Sequence, residues 1–223
     1  ESTPDTTSDP FSPLLEEFIK RTELTPTRTL CVSNACASSL SAMFLARQWL
    51  RTGSVSEVLV LAVDQVGPFV TSGFHSLRAL TFERVRPFSK DRSGLRLGEA
   101  AAAVLLSAKQ TSDGLVLRGV GLDTEGHAVT RPTPGSVRRA CMQIPDIQNL
   151  PPDLIIAHGT GTMINDPIED QVFSELFQKD HATPPVTASK WCIGHTLGAS
   201  GAMDLIAACE TLKRQKAFRI ANT

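Results

Sequence analysis

Residues 57–64 (EVLVLAVD) form a continuous apolar run of strand length, and this run does most to limit what the chain can become. It falls far short of the roughly 20 residues needed to cross a bilayer. Its lack of polar alternation predicts a strand buried on both faces, as in parallel sheets covered by helices. Residues 153–157 (DLIIA) repeat the pattern. Around these runs lie stretches of helical period. Residues 13–21 place Leu14, Leu15, Phe18 and Ile19 on one side, and residues 37–51 end before Gly53. Residues 167–178 carry Ile168, Val172 and Leu176 at helical spacing, and residues 198–213 open with small residues. Residues 136–143 predict a further helix, and residues 67–80 a loop with a short one. Strands are predicted at 30–32, 99–108, 185–189 and 217–221, with 115–123 a hairpin partner across Ser112, Asp113 and Gly114. Strands alternating with helices argue for an α/β fold with mixed β-sheets covered by helices.

Charge narrows the function classes. Lys and Arg number 22 against 23 Asp and Glu, a net charge of −1, which gives no electrostatic reason to expect nucleic acid or an anionic membrane as partner. Residues 1–13 are polar and lack a signal-peptide pattern. The five cysteines (31, 36, 141, 192 and 209) are odd in number and irregularly spaced, so neither a disulfide framework nor a zinc knuckle fits them. A reducing cytoplasm is the expected compartment.

The chemistry concentrates at residues 30–40 (LCVSNACASSL), where a β-prone stretch turns through Ser33, Asn34 and Ala35 into a helix of small residues. Cys36 sits at that junction. Unpaired backbone N–H groups and the positive end of the helix dipole favour the thiolate there. The small neighbours leave a substrate room to approach. The competing reading is an inert structural cysteine. His158 follows the predicted strand 153–157 and precedes GTGT, while His195 lies in SKWCIGHTLGASG, five residues after Lys190. Ligands in open α/β sheets gather beyond the carboxyl ends of strands, so Cys36, His158 and His195 are predicted to converge. Gly194, Gly198 and Gly201 do not make a dinucleotide or phosphate loop.

NACASS with Cys36, HGTGT with His158, and SK…GHTLGASGA with Lys190 and His195 together resemble the β-ketoacyl synthases, the condensing enzymes of the thiolase superfamily. RPF at 86–88, the Gly98-Glu99 pair, and Asp166 and Glu169 after HGTGT extend the likeness from about residue 30 to the end. The resemblance implies a thiolase-like layered fold, incomplete in this chain, with residues 1–29 a polar segment with a short helix and 30–223 a partial ketosynthase domain. It implies a decarboxylative Claisen condensation by an acyltransferase. Cys36 would accept an acyl group from acyl carrier protein, its own N–H forming half of the oxyanion hole. His158 and His195 would hold the enolate formed when malonyl-acyl carrier protein loses CO₂. Lys190 would orient them, with Asp204 as its acidic partner. Thr160 and Thr162 would bind the phosphopantetheine arm, and His127 and Thr130 fall near its entrance. The product would be a 3-oxoacyl chain two carbons longer, in fatty acid, polyketide or polyene-type biosynthesis. No metal or resident cofactor is implied, since the phosphopantetheine arrives on the carrier.

The family domain is longer than this chain at both ends, and its segment after residue 223 holds a Gly-Phe loop that gates the thiol. The resemblance therefore implies a fragment, or a truncated relative that leans on a partner in a homo- or heterodimer. A non-catalytic companion of the chain-length-factor kind is the alternative, though such a subunit need not keep the nucleophile. A degradative thiolase fits less well, because thiolases generally use a second cysteine as acid and base. Arg84, Arg86, Lys90, Arg92 and Arg96 offer either a dock for an acidic carrier or a solvated face.

Overall fold

The computed structural model describes residues 12–109, 114–126, 131–177 and 183–220. The chain divides into two units, Glu1–Ser33 and Asn34–Thr223. In the first, helix α1 (Ser12–Thr22) carries Lys20 and Arg21 in its last turn, where cations complement the helix dipole. The strand expected at 30–32 is not formed; these residues join no ladder, and β-prone sequence without a neighbouring strand stays irregular.

In the second unit, helix α2 (Ser38–Arg51) leads to strand β1 (Glu57–Asp64) and helix α3 (Pro68–Ser76). Strand β2 (Ala100–Ser107) returns antiparallel to β1 in a register running from Glu57↔Ser107 to Asp64↔Ala100. The expectation that 57–64 is buried on both faces in a parallel sheet is thus corrected. Val60 and Ala62 point inward, while Leu59 and Val63 are exposed. Pairing with β2 fixes an alternation that the sequence of β1 does not itself display.

Residues 115–123 also depart from expectation, for they form no ladder on β2. The backbone of Leu122 is satisfied by a side chain: its N–H donates to Gln143 Oε1 at 3.2 Å, and Gln143 Nε2 donates to its carbonyl at 2.7 Å. Gln143 follows helix α4 (Pro134–Met142). The approach is so close that a Cβ on Gly121 would meet the Ala140 carbonyl oxygen at 1.8 Å, which explains the glycine.

Strand β3 (Ile155–Ile156) pairs in parallel with β4 (Val186–Thr187), with helix α5 (Asn165–Phe177) between them in sequence. Helix α6 (Lys190–Ile193), a 3-10 turn (Leu197–Ala199) and helix α7 (Ser200–Arg214) follow. Residues 216–220 form no strand; instead Thr187 Oγ1 donates to the Phe218 carbonyl at 2.8 Å. Among the described residues, no helix is long and apolar enough to cross a membrane.

The main core joins Met43 and Ala46 of α2, Val60 and Ala62 of β1, and Ala199 and Ala202 at the head of α7. Fully burying a side chain such as Met43 stabilises by about 1.5–3 kcal/mol. Two polar ties set the head of α7 against this core. Ser39 Oγ accepts from the Ala202 N–H at 3.1 Å, and Asp64 Oδ2 accepts from the Gly198 N–H at 2.9 Å. Both N–H groups belong to the turn where a helix lacks its own acceptors. Ser39 lies three residues after Cys36 and Gly198 three after His195, so the same ties bring the nucleophile loop and the histidine loop together.

Candidate active site

Cys36 stands just ahead of α2, on a turn closed by the Ala37 N–H to Asn34 carbonyl (3.0 Å) and Ser38 N–H to Ala35 carbonyl (3.1 Å). Ser38 Oγ accepts from the Asn34 N–H at 2.8 Å and donates to the Ala35 carbonyl at 2.7 Å. Ala35 adopts φ +45°, a left-handed conformation that costs a non-glycine residue roughly 1–2 kcal/mol. That strained corner presents the sulfur. His195 is pinned on both sides, its N–H donating to the Arg96 carbonyl at 2.7 Å and its carbonyl accepting from Gly98 at 3.0 Å.

The three predicted residues meet. His195 Nε2 lies 3.0 Å from Cys36 Sγ, and its Nδ1 lies 3.0 Å from Ser200 Oγ. The rings of His158 and His195 stand edge to face with centroids 5.0 Å apart. Phe74 of α3 covers another side of His195 at 6.0 Å. Cys36 and His158 both line a cavity of about 480 Å³ whose wall is largely apolar, through Leu40, Leu154, Ile156, Leu205 and Leu212.

Two carboxylates hold the loop that bears His158. Glu169 accepts from the His158 N–H at 2.7 Å, the Gly159 N–H at 2.8 Å and Asn165 Nδ2 at 2.7 Å. Asp166 accepts from the N–H groups of Gly161 (3.1 Å) and Phe88 (2.8 Å). Gly159 and Gly161 both have positive φ, which lets the backbone fold around these acceptors. Thr160 is buried, with its hydroxyl 2.9 Å from that of Thr162 and 3.4 Å from Asp166. Thr162 is the half-buried member of the pair. Lys190 is buried, and its Nζ donates to Asp204 Oδ2 at 2.9 Å; Ser189 Oγ donates to Asp204 Oδ1 at 2.5 Å. His127 and Thr130 lie outside the described residues.

A match to the N-terminal domain of β-ketoacyl synthase covers residues 27–112, and a match to its C-terminal domain covers residues 115–223. The chain belongs to the β-ketoacyl synthase family. Among its relatives, nodulation protein E of Rhizobium sp. (strain N33) is 31% identical over 79% of this chain and 46% of its own length. Erythronolide synthase EryA2 of Saccharopolyspora erythraea is 33% identical over 79% of this chain and 5% of its own. The solved ketosynthase ApeO in complex with its chain length factor ApeC, from Xenorhabdus doucetiae, superposes with a TM-score of 0.75. It is 29% identical, over 82% of this chain and 46% of that one. The chain thus spans about half the length of a relative such as nodulation protein E. The fold is the thiolase-like one of these ketosynthases.

In this synthase fold the resting state of the sulfur differs from the sequence expectation. Burial raises the Cys36 thiol above its ordinary value, outweighing the lowering by its own backbone N–H and by Lys190. The helix start alone does not make a thiolate, so deprotonation calls on a base. Both histidines are held neutral. Burial, then the charge of Lys190, lowers His195 to about 4, and the same causes with His195 added lower His158 well below its ordinary value. Burial raises Glu169 to about 6 despite its three donors.

These shifts fix a pH dependence. A depressed histidine contributes stability that is present above its unfolded value and lost as pH falls through the folded one. For His195 that window runs from 6.5 down to about 4. Glu169 acts oppositely, its contribution being lost as pH rises from 4.5 through about 6. Two depressed histidines oppose one raised carboxyl, so unfolding free energy is expected to rise from pH ~4 to pH ~6.5. Urea melts across that range check it; a flat profile contradicts the burial of neutral imidazoles.

Ser200 at His195 Nδ1, Phe74 against its ring, and Asp64 at Gly198 escaped the sequence reading. A serine inside a helix and an aspartate at a strand end carry no periodic signal. Asp166 and Glu169 were legible as motif members but not as brackets of the His158 loop. The basic stretch does not form a uniform patch. Arg84, Lys90 and Arg96 are exposed among the equally exposed Glu83, Asp91 and Glu99, while Arg86 is half-buried and Arg92 folds back to the Ser89 carbonyl at 2.8 Å.

Proposed function

We propose that this chain carries the acyl-loading and condensing machinery of a ketosynthase, joining an acyl group to a malonyl unit with loss of CO₂. The contact of Cys36 Sγ with His195 Nε2 at 3.0 Å carries the reading. A half-buried thiol beside an imidazole that is neutral at pH 7 has its base within reach. In the loading step His195 takes the Cys36 proton, and the thiolate attacks the acyl carbonyl. The bond to the carrier's phosphopantetheine sulfur breaks, and that sulfur takes the proton from the imidazolium. Cys36 now holds the acyl group as a thioester.

Malonyl-acyl carrier protein then enters. As CO₂ leaves, the enolate oxygen is held by N–H groups of His158 and of His195, the latter shifted to its Nε2–H tautomer with Nδ1 accepting from Ser200, and both donate without adding a full charge. The new carbanion equivalent attacks the acyl carbon, and the bond to Cys36 breaks to leave the thiolate, which takes a proton from solvent. A 3-oxoacyl carrier protein longer by two carbons results. Burial, and after it the charge of Lys190 fixed by Asp204, keeps both imidazoles unprotonated. Thr160, Thr162 and Thr130 are proposed to bind the pantetheine arm. No resident metal or cofactor is needed for these steps.

An acyl carrier protein and a ketosynthase-like partner subunit in a dimer are the proposed assemblies, in a cytoplasmic setting; the Xenorhabdus relative pairs with a chain length factor. The companion reading is the less favoured, since Cys36 and its histidine are kept in contact. The test supplies acyl-carrier protein and ¹³C-labelled malonyl-carrier protein and reads the carrier-bound product by mass. A labelled 3-oxoacyl product is expected. Labelled acetyl-carrier protein with no chain extension, or no turnover by a folded protein with its partners, would count against the reading.

A further inference from the structure

We infer that Cys36, His158 and His195 also form a binding site for a single thiophilic divalent cation, represented by Zn²⁺, whose capture blocks the nucleophile. This rests on the geometry of the three side chains and not on the condensation chemistry. One donor atom from each, a sulfur and two ring nitrogens, lies within 4.8 Å of the others. A tetrahedral zinc with bonds of about 2.3 Å to sulfur and 2.0–2.1 Å to nitrogen separates its donors by roughly 3.4–3.6 Å. The Sγ to Nε2 distance of 3.0 Å must open slightly, and the other donor pairs lie within 4.8 Å, close to that range.

The surroundings favour the ion in two ways and oppose it in one. The Ser200 hydroxyl at His195 Nδ1 can fix the ring with Nε2 turned to the metal, the arrangement that supports metal-bound histidines. The cavity reached by Cys36 and His158 leaves a fourth position open to water. Lys190 repels a cation, but Asp204 pairs with it at 2.9 Å, and Asp64 adds a second negative charge felt at Cys36. On binding, the Cys36 thiol releases its proton to solvent, and the six-coordinate hydrated cation sheds five waters and keeps one in the fourth position. The metal keeps its charge, and nothing is oxidised. Cys, His and His without a carboxylate suit zinc over magnesium or calcium. The ion is inhibitory, because the sulfur it holds is the one that must attack.

Co²⁺ serves as the optical probe on the purified protein under a non-chelating reductant. A thiolate-to-cobalt charge-transfer band is expected at one equivalent, displaced by Zn²⁺. It should be lost in Cys36→Ser, weakened at least about tenfold in affinity by His195→Ala, and unchanged in Cys192→Ser, which alters an exposed cysteine. A readout on the unaltered protein covers variants that fail to fold. One equivalent of Zn²⁺ should slow iodoacetamide alkylation of Cys36 about tenfold or more and leave Cys192 untouched, as read by peptide mass. An absent band, a band that survives in Cys36→Ser, or equal alkylation of Cys36 with and without Zn²⁺ overturns the inference.

Discussion

Asp204→Asn is expected to lower the unfolding free energy by about 3–5 kcal/mol, the cost of leaving one partner of a buried ion pair without its counter-charge. Lys190 is 2% exposed and donates to Asp204 Oδ2 at 2.9 Å, while Asp204 is 17% exposed and also holds Ser189. The asparagine can keep the serine contact but cannot neutralise the ammonium. Against a typical total of about 5–15 kcal/mol, such a loss is severe. Urea unfolding of the single variant and of Lys190→Met/Asp204→Leu separates charge from packing. Removing both charges is expected to restore most of the loss. A single variant within about 0.5 kcal/mol of the parent would mean that water already screens the pair.

His158→Ala is expected to abolish condensation while sparing acyl loading. The ring of His158 stands edge to face with that of His195, and it is His195 Nε2 that lies within hydrogen-bonding distance of Cys36. Loading therefore keeps its base, whereas the enolate loses a donor. Removing one such donor typically costs 10²–10³-fold. The backbone of residue 158 is held by Glu169 through its own N–H, so the loop has no reason to collapse on truncation of the side chain. His158→Asn, which retains an N–H donor, should recover part of the rate. Loading and condensation falling equally would contradict the division of labour.

These expectations draw unequally on sequence and fold. Helices α1, α2, α5 and α7 were legible because their apolar residues recur at a period that one helix expresses alone. The convergence of Cys36, His158 and His195 was legible too, because a residue at a strand end or helix start has few places to point in an α/β sheet. Pairing was not. Residues 115–123 have strand composition, yet Gln143 satisfies the backbone of Leu122, and no local pattern announces a side chain from a later segment. The protonation state of Cys36 was misjudged for a related reason. Helix position is written in the sequence, but burial, which outweighs it here, depends on the packing around the loop. The ties from Ser39 and Asp64 to the head of α7 belong to the same class, since they join residues far apart along the chain.

Incubation with an acyl-carrier protein, followed by intact-mass measurement and peptide mapping, tests the central claim most directly. One acyl group should appear as a thioester on the peptide containing Cys36 and vanish in Cys36→Ala. A folded protein that stays unmodified, or an adduct that maps to Cys192, would contradict the placing of the reacting sulfur beside His195.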